Sequence, residues 1–284
     1  MTDPARLRQR FLAEPHTLRN ERRDFHEWHR GRPHYLLWAL DVDASPLRAR
    51  VAAAQRALDG LLLDGYLRQP HITLALCGFP ATGPLRADDE FDDALIATQL
   101  AALQAMAPPA FELGIGGLES FSSAPFLSVH DSTDALATLR RCLHTDSQHP
   151  QGGYVPHVTV GLYADAWPTA EVAARFQALE DAPHLPCRIT RLSLMGYAAA
   201  DIGGALFTLA DYHLDERRLQ WREAWEGLAG KVDGYNGEGA CRFTVEAGLP
   251  ANGALSSTAF AGKPAPTHQA PTMTLDAETR GSTP

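Results

Sequence analysis

The chain lacks the cysteine pattern of a zinc ribbon or a disulfide-stapled secreted domain. Its four cysteines, Cys77, Cys142, Cys187 and Cys241, are widely scattered and form no Cys-x-x-Cys pair, so reduced thiols are expected. No uninterrupted apolar run approaches the roughly 20 residues of a membrane-spanning helix. The opening residues Met1 to Arg6 lead into charged sequence without the apolar stretch of a signal peptide. Positive charge is short as well: the formal net charge is −9, which argues against a protein that coats long duplex nucleic acid through many Lys and Arg contacts. A short or terminal nucleotide segment stays within reach. A soluble, cytoplasmic protein with no membrane partner is expected.

Apolar content is ample. At 284 residues and 45% hydrophobic, the chain can bury the core of one large domain or of two lobes. Residues 1–33 form a charged extension in which eight arginines stand against five acids. It reads as a solvated helical segment, or alternatively as a basic arm that helps to hold an anionic substrate. His26 and His29 have no acidic or thiol partners at zinc-site spacing.

From residue 34 the pattern becomes orderly. Tyr35 to Leu40 reads as a strand, followed by a helix that starts at Asp43 or Ser45 and runs to about Leu62, where Asp64-Gly65 breaks it. A strand then ends at Gly78-Phe79-Pro80, and the acidic run 88–93 sits where a helix N-terminus favours negative charge, with the helix continuing to about Met106. Phe111 to Phe121 reads as a strand with a Gly-rich irregularity. The order then repeats, with a strand at 126–130, a helix from 132 to about 144 capped by Ser132 or Thr133, a strand from Tyr154 to Tyr163, a helix at 169–179 and a strand at 188–197. Ala205 to Leu214 is one more strand, and Glu216 to Leu228 an amphipathic helix. Residues 231–284 form a Gly-, Ala-, Pro- and Ser-rich tail, flexible by composition, in which Cys241–Val245 could make a short strand.

The two halves share a motif. Pro70-His71-Ile72-Thr73-Leu74 and Pro156-His157-Val158-Thr159-Val160 occupy the same station in each half. Side chains two apart on a strand point to the same face, so each copy presents an imidazole beside a hydroxyl while its aliphatic residues face the other way. One His-x-Thr is weak evidence, because such a histidine is more often satisfied by a local hydrogen bond in a core or on a surface. Two copies at equivalent stations of a repeat point to one site with two imidazoles. Imidazole titrates near pH 6.5, so a pair can hold one neutral and one protonated member, the requirement for moving protons on both sides of a phosphate. The hydroxyls of Thr73 and Thr159 can donate to non-bridging oxygens.

On these motifs the chain resembles the two-histidine phosphoesterase superfamily, which includes the 2′-5′ RNA ligase-like proteins and the RNA 2′,3′-cyclic phosphodiesterases. The resemblance covers about residues 34–214. It implies an α+β fold of two pseudo-symmetric lobes, with mainly antiparallel sheets lining a central cleft and helices outside, in a bilobal domain over residues 34–230. It implies His71 and His157 as catalytic residues, Thr73 and Thr159 as phosphate-binding residues, no metal or other cofactor, and an RNA end or small nucleotide as substrate. In the RNA cyclic phosphodiesterase branch a basic residue follows the second motif closely, whereas here Val160-Gly161-Leu162-Tyr163 follows. Tyr163 is a candidate for stacking on a base or donating to phosphate, and equally for a half-buried strand position. Arg68, just before the first motif, is a candidate contact for an anionic substrate or else an exposed strand-edge arginine. Two other readings remain at this point. One is a metallohydrolase with histidine ligands, for which no third ligand is evident. The other is a non-catalytic module that binds RNA ends or nucleotides.

Overall fold

The run Leu36-Leu37-Trp38-Ala39-Leu40 is apolar at every position, the mark of a strand buried on both faces, and all five residues are buried. In the computed structural model, which describes residues 4–83, 85–143, 153–180 and 182–223, this run forms β1 (His34–Asp41) at the centre of the larger sheet. β1 pairs antiparallel with β2 (His71–Pro80) on one side and with β8 (Arg191–Ala198) on the other. The six-stranded order is β10-β9-β8-β1-β2-β3, with β3 (Glu90–Phe91) lying parallel to the end of β2 and β9 (Phe207–His213) and β10 (Arg218–Trp221) extending the far edge. A second, four-stranded sheet has the order β6-β5-β4-β7, formed by β4 (Phe111–Ser120), β5 (Pro125–His130), β6 (His157–Thr159) and β7 (Leu185–Ile189). All of its pairs are antiparallel.

Each face of β1 serves a different cluster. Leu36, Trp38 and Leu40 enter the principal core, while Leu37 packs with Ala39, Met195, Tyr197 and Leu206 on the other face. The helices tie the sheets together by crossing between halves. α3 (Ser45–Ala57), which connects β1 to β2, packs on the 3-10 turn Phe176–Leu179 that follows α6 (Thr169–Arg175). α5 (Ala135–Cys142), between β5 and β6, packs on β2 and on α4 (Asp93–Met106). Asp92 caps α4 by accepting from the Leu95 amide, so part of the acidic run is structural, as its position suggested.

Several elements depart from the pattern read in the sequence. α3 ends at Ala57, and the chain turns at Gly60 with φ +78; Leu62, expected in the helix, bridges to Tyr163. The N-cap position of α5 is Asp134, which makes no side-chain cap bond, and the first turn is instead served by Asp131, which accepts from the amides of Thr133 and Leu136; neither Ser132 nor Thr133 takes that role. The single strand expected at 188–197 is two strands in different sheets, broken at Thr190. Inward residues lie at odd positions in β7 (Cys187, Ile189) and at even positions in β8 (Leu192, Leu194), a slip of parity that one continuous strand cannot accommodate. The helix expected from Glu216 is a hairpin: Arg217 turns with φ +52, and Arg218–Trp221 pairs with β9. Residues 224–228 of that expected helix, the tail 231–284 and the possible strand Cys241–Val245 lie outside the described residues. Among the described residues no helix is long and apolar enough to cross a membrane.

The N-terminal segment is not a solvated extension. α1 (Pro4–Ala13) buries Leu7 and Phe11, stacks Phe11 on Phe176 at 5.8 Å between ring centroids, and pairs Arg8 with Glu119 through two 3.0 Å bonds. Further along, Trp28 packs against Tyr35 and Phe79, and Arg32 grips Asp89 at 2.7 and 2.9 Å. His29 is engaged by Asp24 and by the amide of Gly31. Phe11→Ala is therefore expected to destabilise the protein by about 3 kcal/mol in equilibrium urea unfolding; a loss near zero would restore the solvated reading.

Candidate active site

Both motifs stand at the start of a strand, after a proline that has no N–H to give to a ladder. Period-2 geometry sends Ile72 and Val158 into the core, each fully buried, and leaves His71 with Thr73, and His157 with Thr159, on the opposite faces. The two imidazoles are held alike. Nδ1 of His71 lies 2.8 Å from the Gln69 carbonyl oxygen, and Nδ1 of His157 lies 2.8 Å from the Val155 carbonyl oxygen. A carbonyl can only accept, so Nδ1 carries the proton in both rings and the lone pair of the neutral ring is on Nε2.

β2 and β6 belong to different sheets but lie against each other, and each is braced from the opposite half. The Tyr154 hydroxyl, from the segment before β6, donates to the Thr73 carbonyl at 2.8 Å. Reciprocally, Tyr66, from the loop before β2, is placed beside the Thr159 side chain. Beyond the threonines, Gln55 of α3 donates to the Val160 carbonyl at 3.0 Å, and Arg140 of α5 donates to the Leu74 carbonyl. Leu74 and Val160 are the equivalent residues of the two motifs. The helices that cross between halves thus hold the two histidine strands in register with each other.

Burial pushes the pKa of His71 down to about 4, with the charges of Arg68 and His157 adding to the depression and the Gln69 carbonyl and Asp41 opposing it. Asp41 is the cross-strand partner of His71 and is itself paired with Arg191 at 3.0 Å. Burial also lowers His157, against the Val155 carbonyl. The effect of His157 on His71 is the repulsion of like charges. His157 is flanked by the rings of Phe121 and Phe126, at 5.0 and 5.4 Å. Both imidazoles favour the neutral form in the free protein, and an arriving phosphate anion would raise both and allow one to hold a proton.

The remaining candidates separate. Tyr163 is fully buried, with its hydroxyl 2.6 Å from Ser120 Oγ and its carbonyl accepting from Asn20. It is a packing residue, and its ring is not available to a ligand. Arg68 is not an exposed edge residue: its guanidinium stacks over the Tyr197 ring, 4.0 Å from the centroid, and its charge acts on His71. Among the described residues no group of three or more His, Cys, Asp or Glu is placed to hold a metal ion. Tyr66 and Tyr154 were missed, although the sequence carries a signal for them. A Gly-Tyr dipeptide precedes each motif, and Gly65 and Gly153 both turn in the left-handed region, at φ +74 and +71, where glycine carries no steric cost.

A family model described as the 2′-5′ RNA ligase superfamily matches residues 43–201. No curated protein matches the chain. Among solved structures, LigT of E. coli complexed with 3′-AMP shares 17% identity over 64% of this chain and 98% of its own, with a TM-score of 0.42. The protein TT0787 of Thermus thermophilus shares 15% over 63% of this chain and 97% of its own, with a TM-score of 0.38. The conserved protein ATU0111 of Agrobacterium tumefaciens shares 18% over 67% and 93%, with a TM-score of 0.40.

The buried neutral state of His71 has a consequence for stability. Below about pH 6.5 the unfolded chain takes up a proton that the folded imidazole refuses until about pH 4. The stabilisation is therefore intact above 6.5 and lost as the pH falls towards 4. Between pH 7 and pH 4 the wild type should lose about 3 kcal/mol more stability than His71→Gln. Parallel pH–stability curves in urea would show that His71 is not held neutral by the fold.

Proposed function

Because the chain belongs to the 2′-5′ RNA ligase superfamily, whose model spans more than half of it, we propose that it is a metal-independent phosphodiesterase. Its substrate is a 2′,3′-cyclic phosphate, or a 2′-5′ linkage, in a small nucleotide or at an RNA end. Family membership supports phosphoesterase chemistry in general. The observation that carries the finer reading is the matched pair of Nδ1–carbonyl bonds, which turns two histidines on abutting strands into two Nε2 groups ready for proton transfer.

In hydrolysis of a cyclic phosphate, Nε2 of one neutral histidine takes a proton from water as the water oxygen bonds to phosphorus. The bond from phosphorus to one ribose oxygen breaks, and that oxygen receives the proton from Nε2 of the other, protonated histidine. The net result is a ribose hydroxyl and a phosphomonoester, with the proton on the opposite imidazole ready to exchange with solvent. Thr73 and Thr159 donate to the non-bridging oxygens, where negative charge gathers. The two imidazoles exchange roles in the reverse, ligating direction. Tyr66 and Tyr154 are positioning residues: they brace the strands that carry the threonines.

The test is turnover of adenosine 2′,3′-cyclic phosphate and of an oligonucleotide ending in a cyclic phosphate, in EDTA. The wild type should be active, and His71→Ala and His157→Ala should each lose about 10²–10⁴-fold in kcat. Thr73→Ala and Thr159→Ala should lose about tenfold or more. Activity undiminished in both histidine variants would remove them as catalysts, and tight binding of the cyclic nucleotide without product would make the protein a binding module.

A further inference from the structure

The loop before β2 carries a cation whose surroundings do not account for it. Arg68 stacks on Tyr197, its guanidinium 4.0 Å from the ring centroid. Tyr197 is itself nearly buried, on β8 opposite Tyr35 of β1. The loop is pinned on both sides of the arginine. The Leu67 amide donates to the Gly203 carbonyl at 2.8 Å, and the Gln69 side chain brackets Leu206, accepting from its amide at 3.0 Å and donating to its carbonyl at 2.8 Å. The guanidinium is held in place before any ligand arrives.

Several other partly buried arginines here have partners: Arg50 donates to the carbonyls of Ile115 and Pro183, and three are neutralised by carboxylates. Arg8 pairs with Glu119, Arg32 with Asp89, and Arg191 with Asp41 and Asp211. Arg68 forms no ion pair with any Asp or Glu among the described residues, and its Nε is buried without an acceptor. A charged guanidinium with a buried nitrogen that has no acceptor is costly unless a ligand completes it. Arg68 adjoins Gln69, whose carbonyl holds the His71 ring at 2.8 Å, and the charged or titratable groups acting on His71 are Arg68 from the loop, His157 from β6 and Asp41 from β1, so the cation belongs to the histidine site.

We propose that Arg68, seated on Tyr197, is the cation that receives the phosphate of the nucleotide, so that the site selects its ligand by negative charge. This rests on the two-histidine reading of the same site. Planar guanidinium donors suit phosphate oxygens, and the Tyr197 ring keeps the plane fixed without neutralising it. Arg68 also favours the neutral form of His71 until the anion arrives, at which point phosphate and guanidinium offset each other and the imidazole can accept a proton.

The probe is adenosine 3′-monophosphate, the kind of phosphomonoester that opening a cyclic phosphate yields, compared with uncharged adenosine. Binding is measured by calorimetry on the full chain, and the His71 titration is followed by NMR. Arg68→Met retains the side-chain stem over Tyr197, and an unchanged thermal midpoint reports its fold. It should weaken 3′-monophosphate binding about tenfold or more, leave adenosine unchanged, and move the His71 titration to higher pH. Arg68→Lys should recover part of the affinity, as a point charge without the planar fork. Unchanged 3′-monophosphate affinity in Arg68→Met, or equal loss of both ligands, would overturn the proposal, even where the wild type hydrolyses cyclic phosphate. Charge-selective binding through Arg68 in a wild type without turnover would uphold the anion site and overturn the hydrolase reading alone.

Discussion

The bond from each imidazole Nδ1 to the carbonyl two residues before it governs what the two histidines can do. It sets the tautomer, points Nε2 away from the strand's own backbone, and fixes the ring plane. The same bond in both halves makes the two groups chemically interchangeable. The difference between them comes from their surroundings, since His71 is nearly buried with Arg68 acting on it, while His157 is half-buried between two phenylalanine rings. The two histidines thus have a symmetric scaffold and an asymmetric environment.

That arrangement needs two strands from two sheets to stay in register, and the fold provides this through exchange between halves. Gln55 and Arg140 reach from crossing helices to the carbonyls of Val160 and Leu74, and Tyr66 and Tyr154 meet the threonines of opposite motifs. Each bond is individually modest, about 1 kcal/mol net. Their value lies in position, because misplacing an acid or base by about 1 Å costs about 10²-fold in rate. The shared principal core, to which both sheets contribute, makes the brace rigid.

Much of this was legible in the sequence because strand periodicity and repetition act locally. β1, β5 and the first motif strand follow from apolar runs, whereas the strand expected from Tyr154 to Tyr163 forms only over His157–Thr159; the duplication singled out His71, Thr73, His157 and Thr159 together. What escaped depends on tertiary context. The run 188–197 looks like one strand because its composition is uniform, and only the parity slip between Ile189 and Leu192 betrays the passage from one sheet to the other. Leu219 and Trp221 suit a strand face as well as a helix face, and pairing with β9 decides between them. Tyr163 carries the chemistry of a ligand contact, yet Ser120 and Asn20 enclose it, and neither is near it in the chain. The left-handed Gly-Tyr pairs before each motif were readable as a repeat, and their contacts across the halves were not.

The central claim is that His71 and His157 act as one unit on one phosphate. Its most direct test is a double-mutant cycle on kcat for adenosine 2′,3′-cyclic phosphate, with His71→Ala, His157→Ala and the double variant. Two halves of one proton-transfer apparatus predict that the double variant loses about as much as either single variant, as in other catalytic units removed piece by piece. Losses that multiply would contradict the account, because they would mean that the two histidines contribute independently.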